Sequence, residues 1–142
     1  MEAFEQFVKI ALEAEDLVVA SGVKFPVKRQ VRKAERAEFQ THGYEVDLVG
    51  ARADSLVLAT VKSFFGSLGV TSRTVAGESG NTGAYRLLNE PEIRNGVVER
   101  AAERFGYDIS QVHLRLYVGK WAHTRGVDER AETHAWCNRQ LV

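Results

Sequence analysis

Apolar positions recur at two periods along this chain, and the switches between them predict seven elements. Phe4, Phe7, Val8, Ala11, Ala14 and Val18 fall at helical spacing. They predict a helix over 2–20, stopped by Ser21-Gly22. Glu15 interrupts the stripe, while Glu2, Glu5, Glu13 and Asp16 fall toward its edge or far side. From Val23 the period becomes two. Val23, Phe25, Val27 and Val31 share one parity and Lys24, Lys28 and Arg32 the other, which predicts a half-buried strand over 23–33. Arg29 sits on the apolar parity, and Pro26 favours an edge position. GYEVDLVG, 43–50, predicts a second strand. SLVLATVK, 55–62, predicts a third, nearly continuously apolar and therefore central. The short link GARAD between them suits a hairpin.

Residues 66–88 are rich in glycine with scattered Ser, Thr and Asn, and read as one long loop of the kind that often carries function. Asn89 suits an N-cap with Pro91 in the first turn. A helix to Phe105 follows, with Ile93, Val97, Val98, Ala101 and Phe105 inward and Gly106 as its cap. In QVHLRLYV, 111–118, Val112, Leu114, Leu116 and Val118 face the core. A last, weakly amphipathic helix runs from Asp128 to Gln140. The order α-β-β-β-α-β-α predicts an α/β (mixed α+β) fold with a mixed central sheet. At 142 residues, one domain over 1–142 is expected.

Charge changes the picture locally. Nineteen basic residues balance nineteen acidic ones, which excludes a polybasic protein but not a basic patch. Residues 1–23 carry five acids and one base, whereas 24–36 carry six bases and one acid. The single cysteine, Cys137, excludes an intramolecular disulfide framework and a cysteine-based zinc cluster, and suits a reducing cytoplasm. No apolar run approaches a transmembrane span, so no membrane association is expected. The N-terminal stretch, acidic and amphipathic, is unlike a signal peptide.

The candidate chemistry lies in the second and third strands. By alternation Glu45 and Asp47 share one face, and Thr60 and Lys62 share one face of the next strand. Pairing through the short link brings Asp47 and Lys62 to one end of the sheet, beside a helix bearing an inward Glu15. Carboxylates there can hold a divalent cation, and a lysine can orient water or stabilise developing charge at a phosphodiester. The run GYEVDLVG–ARADS–LVLATVKS resembles the core of the PD-(D/E)XK, restriction-endonuclease-like superfamily. The α-β-β-β-α-β order resembles that superfamily's core as well, over roughly residues 2–120.

The resemblance implies a metal-dependent nuclease acting on DNA. Asp47 is then the first motif acid, Lys62 the motif lysine, and Glu15 the acid supplied from the first helix. Asp47, with Glu15 or Glu45, is then expected to hold Mg²⁺ or Mn²⁺, and Thr60, standing where the family has Asp or Glu, to orient water or serve as a weak ligand. A hydroxyl is a poorer cation ligand than a carboxylate. Three readings follow. Another acid keeps the site active; the domain has lost catalysis and binds nucleic acid or docks in a larger complex; or Lys62 is an ordinary strand-end lysine and the likeness stops at the fold. Lys24, Lys28, Arg29, Arg32 and Lys33 are candidate contacts to a nucleic-acid backbone, as are Arg73 and Arg86 flanking the glycine-rich loop. A homodimer or larger assembly is a further expectation of the resemblance. His42, His113, His123 and His134 have no metal-ligand spacing, and His113 falls on the exposed parity of its strand. Trp121 and Trp136 are expected to pack the last helix on the sheet.

Overall fold

The computed structural model describes residues 2–33 and 36–141, with the backbone alone over 29–33 and 36–39. In chain order its elements are α1 (Ala3–Glu13), β1 (Val18–Lys33), β2 (Arg36–Arg52), β3 (Ser55–Lys62), α2 (Ser72–Val75), α3 (Arg86–Asn89), α4 (Pro91–Phe105), β4 (Val112–Val118) and α5 (Glu129–Gln140). The strands form one sheet in the order β1-β2-β3-β4. β1 pairs antiparallel with β2 and β2 with β3, while β4 joins β3 in parallel. The expected mixed class therefore holds. None of the described helices is long and apolar enough to cross a membrane.

β3 is buried on both faces, which is why its sequence is almost continuously apolar. Leu56 and Leu58 enter a cluster with Phe25, Val27, Val46, Ile93, Val97 and Ala101, on the α4 side of the sheet. Val57, Ala59 and Val61 enter a second cluster with Val8, Leu12, Leu17 and Leu48, on the α1 side. β1 forms an outer edge, as Pro26 requires. His113 is exposed, and Leu114, Leu116 and Val118 pack inward with Trp121 and Trp136, as the alternation predicts.

α1 is shorter than its apolar stripe suggests. It closes in a Schellman-type turn, with the Asp16 N–H on the Glu13 carbonyl at 3.0 Å and the Leu17 N–H on the Leu12 carbonyl at 3.4 Å. Asp16 takes the left-handed position at φ 63°, which aspartate tolerates better than most residues. The buried stripe is Phe4, Val8 and Leu12, so Phe7 and Ala11 point outward and Val18 opens β1. Ser21-Gly22 therefore lies inside a strand rather than at a helix end.

The β1–β2 ladder is interrupted once. Ser21 pairs with Leu48 and Val23 with Val46, while Gly22 and Asp47 between them do not pair. Strand positions four apart share a face. Yet Val19 packs on the α1-side cluster and Val23 on the α4-side cluster. Leu48 and Val46 divide the same way, so both strands change face at the break. Gly22 makes the change through a left-handed backbone at φ 63°, which glycine adopts freely.

The glycine-rich stretch is more ordered than one loop. It holds α2, a 3₁₀ turn at Thr82–Tyr85 and α3. Asn89 is the last residue of α3, not an N-cap. Its side-chain amide donates to the Val75 carbonyl at 3.1 Å and the Thr82 carbonyl at 3.0 Å, tying the short helices together. The segments leaving β3 and β4 run side by side, and Val70 donates to the Lys120 carbonyl at 2.9 Å. At Gly69, φ is 101° and a Cβ would lie 2.6 Å from the Ala122 nitrogen. Gly69→Ala should cost more than about 2 kcal/mol in urea unfolding. Gly106→Ala, also at positive φ but in open space, should cost about 1 kcal/mol.

Candidate functional site

The strand break creates the candidate site. β2–β3 pairing ends at Leu48↔Ala59, so the Val61 N–H has lost the strand partner that would have taken it. Asp47 replaces that partner: its Oδ2 accepts the Val61 N–H at 2.8 Å. A buried amide left unpaired is costly, so this carboxylate does structural work. It also lines a cavity of 200 Å³ with Glu5, Ser21, Gly22 and Glu45. At Gly22 a Cβ would lie 3.1 Å from Glu45 Oε1, so the missing side chain leaves room for that carboxylate.

Asp47 and Glu45 line one cavity, although the alternation that suggested it is broken at Asp47, and the helix adds an acid, Glu5, that the sequence pattern did not single out. Burial, and then the Asp47 carboxylate, push Glu5 above the ordinary carboxyl range. A signal for Glu5 exists in the sequence. It lies three residues before Val8 and seven before Leu12, the two buried residues of α1. Taking Phe7 and Ala11 as the stripe hides it.

Glu15 is engaged elsewhere. Arg115 of β4 grips it with two bonds, Nη1 to Oε2 at 2.7 Å and Nη2 to Oε1 at 3.0 Å. Arg115 also donates to the Tyr117 hydroxyl at 3.0 Å. The expected set of Glu15, Glu45 and Asp47 is not gathered: among the described residues no three His, Cys, Asp or Glu side chains converge closely enough to hold one metal ion.

Lys62 follows Val61, so its backbone adjoins the Asp47 carboxylate, but its side chain takes the other face of β3, away from the pocket, where its ammonium lies 5.6 Å from the centre of the Tyr85 ring; the expected approach of the Lys62 side chain to Asp47 is not seen. Tyr85 is buried with its hydroxyl unpartnered among the described residues, and burial pushes that phenol up to about 12. Thr60 is only 5% exposed. Of the candidate backbone contacts, Lys24 and Lys28 are exposed on β1. The side chains of Arg29, Arg32 and Lys33 lie outside the described residues. Arg73 faces Glu78 at 3.6 Å and Arg86 faces Glu90 at 3.5 Å, both as surface pairs of the kind worth little to stability. Cys137 is half-buried, and burial pushes its thiol up, away from nucleophilic use.

The only metal demand that this donor set could meet is a modest one. A Mg²⁺ that keeps several waters needs only one or two carboxylates. Asp47 lines the cavity with Glu5 and Glu45, and its one bond to Val61 leaves most of its lone pairs available.

Hydrogen bonds from Arg115 hold the Glu15 carboxyl below its ordinary value of 4.5, with burial opposing. The stabilisation is complete above that ordinary value and is lost as pH falls through the lowered one. Glu15→Gln should therefore lower Tm at neutral pH, with the gap to wild type closing as pH drops below about 4; a constant gap across that range would contradict the ion-pair account. Comparison with family models and with curated proteins finds no match for this chain.

Proposed function

We infer that this chain is a metal-dependent nuclease acting on DNA in the cytoplasm, built on the PD-(D/E)XK plan that its sequence resembles. The observation that carries the reading is the pocket at the strand break, which Glu5, Glu45 and Asp47 line on the α1 side of the sheet. Asp47, with Glu5 or Glu45, holds Mg²⁺ or Mn²⁺. When bound, the cation polarises the scissile phosphate and lowers the pKa of a bound water. The chain's own groups do the rest. Glu45 and Glu5 accept protons or hydrogen bonds at the pocket wall. Lys62, at the end of β3, starts from the Tyr85 face across the strand from the pocket and would offer its ammonium to the phosphate only by reaching round the strand's end. Lys24 pairs in register with Glu45. It begins a basic track through Lys28 that leads a phosphate backbone toward the pocket.

A second reading has its own support. Thr60 is buried where the family has a ligand, and Lys62 is held over Tyr85. Both suit a module that binds nucleic acid, or docks in a larger complex, without cutting.

Nicking of supercoiled plasmid with Mg²⁺, Mn²⁺ or EDTA separates the two. Asp47→Asn keeps an acceptor for the Val61 N–H while removing the charge, so it should fold. The nuclease reading expects metal-dependent nicking that falls about a hundredfold or more in Asp47→Asn, Glu5→Gln and Lys62→Ala. Lys24→Ala and Lys28→Ala should each lower the salt slope of DNA binding by about one. Salt-sensitive DNA binding with no nicking by wild type in either metal would sink the nuclease reading and favour the binding module. Loss of neither nicking nor binding in Asp47→Asn would remove this pocket from the mechanism.

A further inference from the structure

β4 is the outermost strand of the sheet on the side away from β1. The two edges are built differently. β1 carries Pro26 and exposed Lys24 and Lys28, which discourage a further strand. β4 reads Val-His-Leu-Arg-Leu-Tyr-Val, with no proline, lysine or interruption in its pairing to β3. Such a sequence is strongly strand-forming. Among the described residues, 113–118 make no backbone hydrogen bond other than those within the sheet. A regular, unguarded edge is a ready template for another chain.

A groove runs along this edge. Cavities of 610 Å³ and 560 Å³ adjoin at Leu114 and Leu141, which line both. Consecutive residues of the strand line them, Leu114 to Tyr117 the first and Val112 to Leu114 the second. Lining by consecutive residues of both parities suits a space beside the strand's edge. α5 forms the opposite wall. Its Thr133 is 3% exposed and lines the groove, and its hydroxyl has no partner among the described residues. The charge of the lining is uneven. Arg94 and Arg130 are balanced by one carboxylate, Asp128, which accepts from the Ala131 N–H at the start of α5. Arg115 is already matched by Glu15.

We propose that this groove binds an extended peptide as a fifth strand beside β4, with acidic residues alternating with small apolar ones. The peptide backbone pairs with the open edge. Its apolar side chains fill the space between Leu116, Trp121 and α5. Its carboxylates meet Arg130 and the remaining N–H groups of Arg94, whose Nη1 already donates to the Leu88 carbonyl at 2.8 Å. The stretch from Val112 to Tyr117 is about 20 Å long, enough for six residues of partner. Strand addition of this kind takes affinity from backbone bonds and specificity from alternate side chains. A second copy of the chain fits less well, because it brings the same cationic lining. The groove lies at the opposite edge from the acidic pocket, so the proposal stands apart from the nuclease reading.

The test follows backbone amides of the ¹⁵N-labelled full chain by NMR. Four probes are added: a peptide of about eight residues alternating Val and Glu, its Val/Lys counterpart, the Val/Glu peptide N-methylated at alternate residues, and oligothymidylate of similar length. The expected result is a shift of the 112–118 amides by the Val/Glu peptide, with slowed hydrogen exchange along β4. The Val/Lys and N-methylated peptides should bind roughly tenfold more weakly or worse. Arg130→Glu, an exposed change, should reverse the charge preference. Equal binding of the acidic and basic peptides, shifts from oligothymidylate alone, or no response at β4 to any probe would each overturn the proposal. So would broadening of the same amides with protein concentration alone, which would assign the edge to self-association.

Discussion

Two apolar clusters lie on opposite faces of one sheet, and the β1–β2 pair has to serve both. A strand with a period of two can present its apolar set to only one face. β1 and β2 are 16 and 17 residues long, and α1 covers one end of the pair while α4 covers the other. Changing face at Gly22 and Asp47 solves this, at the cost of a ladder position and of the Val61 partner on β2. The Asp47 carboxylate then becomes necessary to the fold before any chemistry is considered. The same separation of strands opens the pocket that Glu5 and Glu45 line. The candidate site and the irregularity that lets the sheet carry two cores are one feature.

What was legible in the sequence follows from how local the cause is. β3, β4 and α4 were plain, because a buried strand, a half-buried edge strand and a helix closed by Gly106 each carry their signal within a few residues. Asp47 was legible as an acid late in a strand. The end of α1 was not. Ala14 and Val18 continue a helical stripe on paper, and the turn that stops the helix uses Asp16 where glycine is the usual marker. Glu15 was misplaced for a different reason. Its partner, Arg115, lies 100 residues away and leaves no trace near it in the chain. The short helices in the glycine-rich stretch depend on Asn89 reaching two carbonyls, and a search for caps reads that asparagine as a helix start.

Glu5, in the first turn of α1, and Glu15, just past its end, meet opposite fates. The guanidinium of Arg115 satisfies both oxygens of Glu15 and holds its carboxyl down. Glu5 faces Asp47 and Glu45 instead, and burial with like charge pushes it up. The neutral total therefore hides one acid already neutralised by the protein and a group of acids that is not. A cation brought to the pocket relieves the second and gains nothing at the first. Under the metal-binding reading, electrostatics thus favours Glu5, Glu45 and Asp47 over Glu15, the acid that the family resemblance implied.

Beyond the end of β2–β3 pairing, β1 and β2 continue as a two-stranded ribbon, and its root is fixed by α4. Phe25 packs edge-on against Phe105 with ring centres 6.2 Å apart, and Arg104 lies 4.7 Å over the Phe25 ring. Arg104 also donates to the Lys24 carbonyl at 3.0 Å. Gly96 lets the helix close on the ribbon, since a Cβ there would sit 2.7 Å from Val27 Cγ1. Past Val27 the ladder continues to Lys33↔Arg36. A ribbon of two strands is of the width that a DNA major groove admits. Under the nuclease reading, the anchoring by Phe25, Arg104 and Gly96 matters as much as the charge of the basic residues. Charge draws a duplex toward any cationic arm, but only an arm held at its root keeps the bound backbone at a fixed distance from Asp47.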